Sequence, residues 1–135
     1  MKWYVERFVF IMNKRMRNEI SQSLSEVTLN ENNFFYLTIL QEYPGLNQTE
    51  LRHHAMQEQS VVTRHINRLV EDGWLEKRKT VHDLRQSKLY LTQQAIDYLP
   101  TIEKMVQQVS THLLEPLSEK EQLTLRHLLE KIIEN

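Results

Sequence analysis

The sequence predicts a mainly α fold of the α+β winged-helix class, in which six helices accompany a two-stranded wing. The chain of 135 residues holds only two glycines and three prolines, and such a scarcity of helix-breaking residues is typical of a mostly helical protein. In the middle of the chain, two short helical patterns lead through Gly73 into a segment that alternates apolar and polar residues like a β-hairpin. This order of elements indicates a winged helix-turn-helix.

Two amphipathic helices are predicted at the start of the chain. Apolar residues recur every four positions from residue 3 to residue 24, which indicates one long helix with one apolar face. A shorter helix is predicted from about residue 33 to residue 42, and Pro44 with Gly45 ends it in a turn.

The next two helices form the predicted helix-turn-helix. Asn47 can cap the first of them, because Glu50 lies at the third helical position and completes a capping box. This helix is expected to extend to about Met56. The second is predicted over residues 60–72, with Gly73 as its C-terminal stop.

The predicted helix over residues 60–72 has two distinct faces. Val62, Ile66 and Leu69 fall on one side at helical spacing, so they are expected to pack inward. The opposite face is polar, partly basic and available for contact with another molecule. It comprises Ser60, Val61, Thr63, Arg64, Asn67 and Arg68.

A basic wing is predicted after the helix-turn-helix. Residues 74–78 and 87–91 read as two strands, and the second alternates Leu89 and Leu91 with more polar neighbours. Residues 77–88 contain five Lys or Arg residues and one Asp, so positive charge is concentrated here although the whole chain has a net charge of −1. A basic hairpin directly after a helix-turn-helix favours binding to duplex DNA.

Two long helices are predicted to complete the chain. The helical period returns at Thr92 and continues to about Glu115, and Pro100 within it predicts a kink rather than a break. Ser118 and Glu121 form a second capping box, which opens the last helix.

Composition and motifs argue against several classes of protein. The chain has no cysteine, so a disulfide framework is excluded, and its apolar runs are far too short for a membrane span. These features predict a cytoplasmic protein with no membrane partner. The sequence has no phosphate-binding glycine loop, nucleophile elbow or HExxH motif, so we expect neither an enzyme nor a cofactor. The six histidines form no H-x-x-x-H pair, and no metal site is predicted.

The order of these elements resembles the MarR family of bacterial winged helix-turn-helix regulators over essentially the whole chain. Residues 60–64 and the Asp-Gly-Trp-Leu sequence at 72–75 are similar to that family's recognition helix and the turn after it. The Asp-Leu-Arg sequence at 83–85, six residues before the Leu-Thr pair at 91–92, resembles the family's Asp-x-Arg wing motif. The sequence NQTEL at 47–51 resembles the start of its supporting helix.

The resemblance implies one domain over residues 1–135, with a DNA-binding lobe at 33–92 and dimerisation helices at 1–32 and 93–135. A two-fold homodimer would hold two recognition helices about one DNA turn apart, which implies a pseudo-palindromic operator in double-stranded DNA. The family also implies a transcriptional repressor relieved by a small aromatic or phenolic ligand bound between the dimer helices and the lobe. Aromatic residues available for such a site include Trp3, Tyr4, Phe34, Tyr36 and Trp74.

The same resemblance assigns roles to single residues. The outer face of the recognition helix is expected to meet base edges in the major groove, where Arg64 suits guanine and Val61 suits a thymine methyl group. Arg85 at the wing tip is expected in the minor groove, with Asp83 holding nearby arginines in position. Candidate phosphate contacts are Lys77, Lys79 and Lys88, with Arg52 a weaker one.

One alternative of a different class stays open at the level of sequence. A dimeric winged-helix protein that binds another protein, with weak or no DNA affinity, is also consistent with the near-neutral net charge. The composition of the wing favours DNA over this alternative.

Overall fold

The computed structural model describes residues 4–82 and 86–135, so Trp3, Asp83 and Arg85 lie outside the described part of the chain. The described residues form six helices and two strands in the order α1 (Val5–Ser23), α2 (Phe34–Glu42), α3 (Gln48–Ala55), α4 (Gln59–Glu71), β1 (Leu75–Lys79), β2 (Ser87–Leu91), α5 (Gln93–Leu114) and α6 (Glu119–Ile133). The predicted winged-helix fold is therefore confirmed. No helix within the two described ranges is both long and apolar enough to cross a membrane.

Both predicted capping boxes are present, and they explain why α3 and α6 begin where they do. The side-chain oxygen of Asn47 accepts a hydrogen bond from the backbone N–H of Glu50 at 2.8 Å, and the Glu50 carboxylate accepts one from the Asn47 N–H at 3.1 Å. Ser118 and Glu121 exchange the corresponding bonds at 3.2 and 3.0 Å. Each box satisfies backbone donors that have no partner within the first helical turn.

The end of α4 shifts the first strand by one residue from its predicted position. Gly73, at a positive φ of 82°, donates its N–H to the carbonyl of Val70, and Trp74 donates to the carbonyl of Leu69 at 2.8 Å. These two bonds close the helix in the manner of a Schellman motif. Trp74 therefore belongs to the helix-ending turn, and β1 starts at Leu75 rather than at residue 74.

The apolar core joins α2 to α5 and the sheet. Tyr36, Leu37 and Leu40 of α2 are almost fully buried, and Leu99 and Ile102 bring α5 into the same cluster. The helix α5 continues through the proline at position 100, so that residue does not break it. In contrast, α1 and α6 contribute no buried residue of their own.

The wing is an antiparallel hairpin in which Leu75 pairs with Leu91 and Lys79 pairs with Ser87. The other edge of β2 is also paired, because Leu89 exchanges backbone hydrogen bonds at 3.1 and 2.8 Å with residues 45 and 46, and residue 47 forms a bridge to Lys88. The segment before α3 therefore pairs with the outer side of β2, like a short additional strand. Sequence patterns did not predict this pairing.

Candidate nucleic-acid interface

The helix α4 is held in the lobe by three side chains that have no solvent exposure. Val62, Ile66 and Leu69 are each 0% exposed, as their helical spacing predicted. Burial of these three residues fixes which side of α4 faces the core. The opposite side is left at the surface.

Most of the predicted contact residues on α4 are accessible. Ser60, Arg64, Asn67 and Arg68 are exposed, whereas Val61 and Thr63 are half-buried at the two flanks of the helix. The guanidinium of Arg68 donates to the carboxylate of Asp72 at 2.9 Å, one turn further along, and this carboxylate raises the pKa of Arg68. Part of the positive charge on this face is thus already paired.

The half-buried Thr63 is held by hydrogen bonds on both sides of its hydroxyl group. The side-chain amide of Gln48, the first residue of α3, donates to the Thr63 hydroxyl at 2.5 Å. That hydroxyl donates in turn to the backbone carbonyl of Gln59 at 2.9 Å. Sequence reasoning missed Gln48, because nothing in the local pattern indicates that residues 15 positions apart meet.

The lysines of the wing lie on both faces of the hairpin. Lys77 and Lys79 share one face of β1 with Leu75, while Lys88 lies on the other face of the sheet, opposite Arg78. All three lysines are exposed. They are therefore accessible on both sides of the wing.

Arg78 is a wing residue that the sequence analysis did not single out. Its guanidinium forms an ion pair with the Glu76 carboxylate and lies over the ring of Tyr90, 4.2 Å from the ring centre. Tyr90 in turn packs against Gly45, where an added Cβ would lie 3.0 Å from the tyrosine hydroxyl oxygen. These contacts tie the base of the wing to the turn before α3.

The predicted wing-tip residues Asp83 and Arg85 lie outside the described residues. The segments on either side are described, and they include Gln86. Its side-chain oxygen accepts a hydrogen bond of 3.4 Å from the amide of Asn47. The described base of the wing is thereby connected to the start of α3.

A cavity of about 530 Å³ lies between α1, α2 and α4. Its wall combines cationic, aromatic and aliphatic side chains, among them Arg17, Ile20, Phe34, Tyr36, Arg64 and His65. The rings of Tyr36 and His65 are in contact, 5.4 Å apart between centres and tilted by 37°. Burial raises the pKa of Tyr36, although the positive charge of Arg64 opposes the shift; burial and the same charge lower the pKa of His65.

The cavity contains only part of the aromatic set that the sequence suggested for a ligand. Phe34 and Tyr36 line it, whereas Tyr4 and Trp74 do not. Trp74 is 4% exposed, donates its indole N–H to the hydroxyl of Thr28 at 2.8 Å and packs against the ring of Tyr98, so it belongs to the core. Tyr4 lies exposed ahead of α1.

Metal-ligating side chains do not converge within the described residues. No three His, Asp or Glu side chains of residues 4–82 and 86–135 lie in an arrangement that could hold a metal ion. Of the adjacent pair His53 and His54, the second is stacked on the ring of Tyr43 at 4.3 Å.

The terminal helices expose apolar surface that one chain does not cover. On α1, Val5 and Val9 are more than half exposed, and on α6 the exposed fraction is 54% at Leu128, 73% at Ile132 and 80% at Ile133. Exposed apolar side chains that recur along a helix are typical of an interaction surface.

Comparison with known proteins gives one family match and many structures of the same fold. The model of the MarR family matches residues 29–87. A MarR transcriptional regulator from Methanosarcina mazei aligns over 99% of this chain and 96% of that chain, with 19% identity and a TM-score of 0.92. A mutant of MarR from E. coli, solved in complex with operator DNA, aligns over 95% of this chain and 92% of that chain, with 23% identity and a TM-score of 0.85.

A further structure of MarR has 21% identity and a TM-score of 0.90 over 98% of this chain and 96% of that chain. No curated protein sequence matches the chain.

Proposed function

We propose that this protein is a dimeric, sequence-specific DNA-binding repressor, because the model of the MarR family matches residues 29–87 and the described residues have the fold of solved MarR-family regulators. In this proposal α4 enters the major groove and the wing, residues 79–86, follows the minor groove. The observation that carries it is the exposed, partly basic face of α4, which three fully buried side chains fix beside a basic hairpin. The protein would act in the cytoplasm, where it meets the chromosome.

Base recognition is assigned to the exposed half of α4. Arg64 would donate to a guanine edge, and Val61 would contact a thymine methyl group. Other contacts from the same helix are assigned to Ser60, Asn67 and Arg68, and Thr63 lies on the flank of this face. Arg68 would have to exchange its bond with the Asp72 carboxylate for one with DNA, so its contribution is expected to be smaller than that of Arg64.

Wing contacts are assigned by charge and position. Lys77, Lys79 and Lys88 are exposed and would bind phosphates, which supplies affinity without reading sequence. Arg85 would enter the minor groove, and Asp83 would support it. Replacement of Arg85 by Ala should cost about 1 to 3 kcal/mol of operator binding and leave the dimer intact, and an unchanged DNA titration would contradict this assignment.

The dimer is proposed from the apolar surface of α1 and α6. Exposure of apolar residues such as Ile132 and Ile133 to water is unfavourable. In a two-fold dimer, the same helices of a second chain would bury them. Light scattering at micromolar concentration should give the mass of two chains. A monomer mass at that concentration would refute the proposed dimer.

DNA binding is tested first by selecting bound fragments from genomic DNA of the source organism. Enriched fragments should share a pseudo-palindromic sequence, which then serves as the operator in binding titrations. If the protein is a correctly folded dimer and no sequence is enriched, the result would favour the alternative, a protein-interaction module.

A matched pair of variants tests whether α4 reads sequence while the wing binds phosphates. Arg64→Ala should relax the preference at particular base pairs, whereas Lys79→Ala should weaken binding to all sequences and reduce the salt slope by about 1. Identical base-preference profiles for the two variants would contradict the assigned roles.

Release by a small aromatic acid is proposed from the cavity between α1, α2 and α4. Arg17 and Arg64 offer positive charge for a carboxylate, and Phe34 and Tyr36 offer aromatic surface for a ring. Because Arg64 and Val61 belong both to the cavity wall and to the proposed DNA-reading face, an occupant would withdraw them from DNA.

Salicylate is a suitable probe for this cavity, with benzyl alcohol as the uncharged control. Salicylate should weaken operator binding by the wild-type protein more than benzyl alcohol does. Arg17 belongs to α1 rather than to α4 or the wing, so the Arg17→Ala variant should bind the operator normally and need more salicylate for release. Equal salicylate sensitivity of the variant and the wild type would contradict this use of the cavity.

A further inference from the structure

We infer that Gln48 is a positioning residue for sequence recognition, acting through its hydrogen bond to Thr63. This inference rests on the proposed DNA binding. The amide of Gln48 donates to the Thr63 hydroxyl at 2.5 Å, and that hydroxyl donates its only proton to the carbonyl of Gln59 at 2.9 Å. Since a threonine hydroxyl has a single donor, Thr63 has none left for a base edge. Thr63 thus positions α4 and does not read sequence by donating a hydrogen bond.

The position of this bond on α4 determines what it controls. Thr63 follows Val62 by one residue, which places it about 100° around the helix from the buried side and on the flank that faces α3. The apolar contacts beneath α4, at Val62 and Leu51, are fully buried but non-directional. A hydrogen bond requires a defined donor and acceptor geometry. The hydrogen bond between Gln48 and Thr63 therefore limits rotation of α4 about its own axis. In this way it also fixes the direction in which the neighbouring Arg64 projects.

Asn47, the residue before Gln48, links the start of α3 to the wing. The Asn47 side chain caps α3, its amide donates to the Gln86 side chain at 3.4 Å, and its backbone bridges to Lys88 of β2. Consecutive residues 47 and 48 thus connect the wing on one side with the recognition helix on the other. In the proposed complex these two elements occupy different grooves, so the junction fixes the distance between them.

The test compares variants that remove or keep the bond. Gln48→Ala and Thr63→Val remove it, whereas Thr63→Ser keeps the hydroxyl. Each variant is titrated with the selected operator and with a scrambled duplex at one salt concentration, and the ratio of the two affinities is the readout. Thr124→Val is the matched control, because its hydroxyl also donates to a carbonyl four residues earlier, at 3.0 Å, but on α6.

The two bond-removing variants should lower the ratio of operator to scrambled affinity by about 3- to 10-fold, which corresponds to the loss of one hydrogen bond. Their double variant should be no worse than either single variant, because both remove the same interaction. Thr63→Ser and Thr124→Val should stay within about twofold of the wild type. Urea unfolding of every variant separates loss of recognition from loss of folding.

Three outcomes would overturn the inference while leaving the proposed function intact. The ratio could be unchanged in Thr63→Val. It could fall in Thr63→Ser as far as in Thr63→Val, which would show that keeping the hydroxyl does not preserve recognition. The losses of Gln48→Ala and Thr63→Val could also simply add. A wild-type protein that binds operator and scrambled DNA equally would instead reject the proposed function itself, and the inference with it.

Discussion

Replacement of Ile66 by Ala tests whether the buried side of α4 holds the recognition helix in place. Ile66 is 0% exposed and lies in the middle of the stripe that joins α4 to the core. The change removes three carbon atoms, and at about 0.8 kcal/mol for each buried carbon the transfer loss is about 2.4 kcal/mol. The cavity left behind adds to this cost, so we expect about 3 to 4 kcal/mol in total. Such a loss is a large fraction of the 5 to 15 kcal/mol that stabilises a typical domain.

Urea unfolding followed by circular dichroism measures this loss, with all variants at one protein concentration so that any contribution from subunit association is equal. The matched control is Asn67→Ala, which changes the next residue on the exposed side of α4. Its free energy of unfolding should change by no more than about 0.5 kcal/mol. A loss below about 1 kcal/mol for Ile66→Ala, or equal losses for the two variants, would refute the assignment of the buried face.

Three further variants or conditions address other parts of the fold. Met56 is 90% exposed and has a positive φ of 53°, a left-handed conformation that favours glycine. Met56→Gly should therefore raise the free energy of unfolding in urea by up to about 1 kcal/mol. A destabilised variant would show that the left-handed turn carries no strain. Thr28→Val removes the acceptor for the buried indole N–H of Trp74 and should cost about 1 kcal/mol, and an unchanged unfolding midpoint would mean that water replaces the hydroxyl. Hydrogen bonds from Ser118 lower the folded-state pKa of Glu121. The stability that this capping box contributes is therefore present above the unfolded-state pKa of Glu121, and it is lost as the pH falls through the folded-state pKa. Ser118→Ala should flatten the pH dependence of the free energy of unfolding on the acidic side, and a profile identical to that of the wild type would contradict this.

The local features of the fold could be predicted because their causes lie within a few residues of one another. The capping box of Asn47 and Glu50 depends on a spacing of three, and the buried stripe that includes Ile66 depends on helical periodicity. Gly73 ends α4 because a positive φ costs glycine little. Each of these signals is visible in a short window of sequence.

Two of the features that sequence reasoning missed join residues that are distant along the chain. The bond between Gln48 and Thr63 and the pairing of residues 45–47 with β2 exist only once α3, α4 and the sheet have packed together. Trp74 looked available for a ligand site because an aromatic residue near a turn gives no sign of whether it is buried. Its partner Thr28 lies 46 positions earlier, and no periodic pattern relates the two residues.

In the proposed dimer, the exposed apolar side chains of α6 also determine how the protein would respond to its own abundance. If only the paired chain binds DNA, operator occupancy below the dissociation constant of the pair rises with the square of the protein concentration, so a twofold fall in expression lowers occupancy about fourfold. The exposed side chains of Leu128 and Ile132 would set the concentration at which this steep response begins. Substitutions there would change the dose dependence of regulation without altering any side chain that touches the bases.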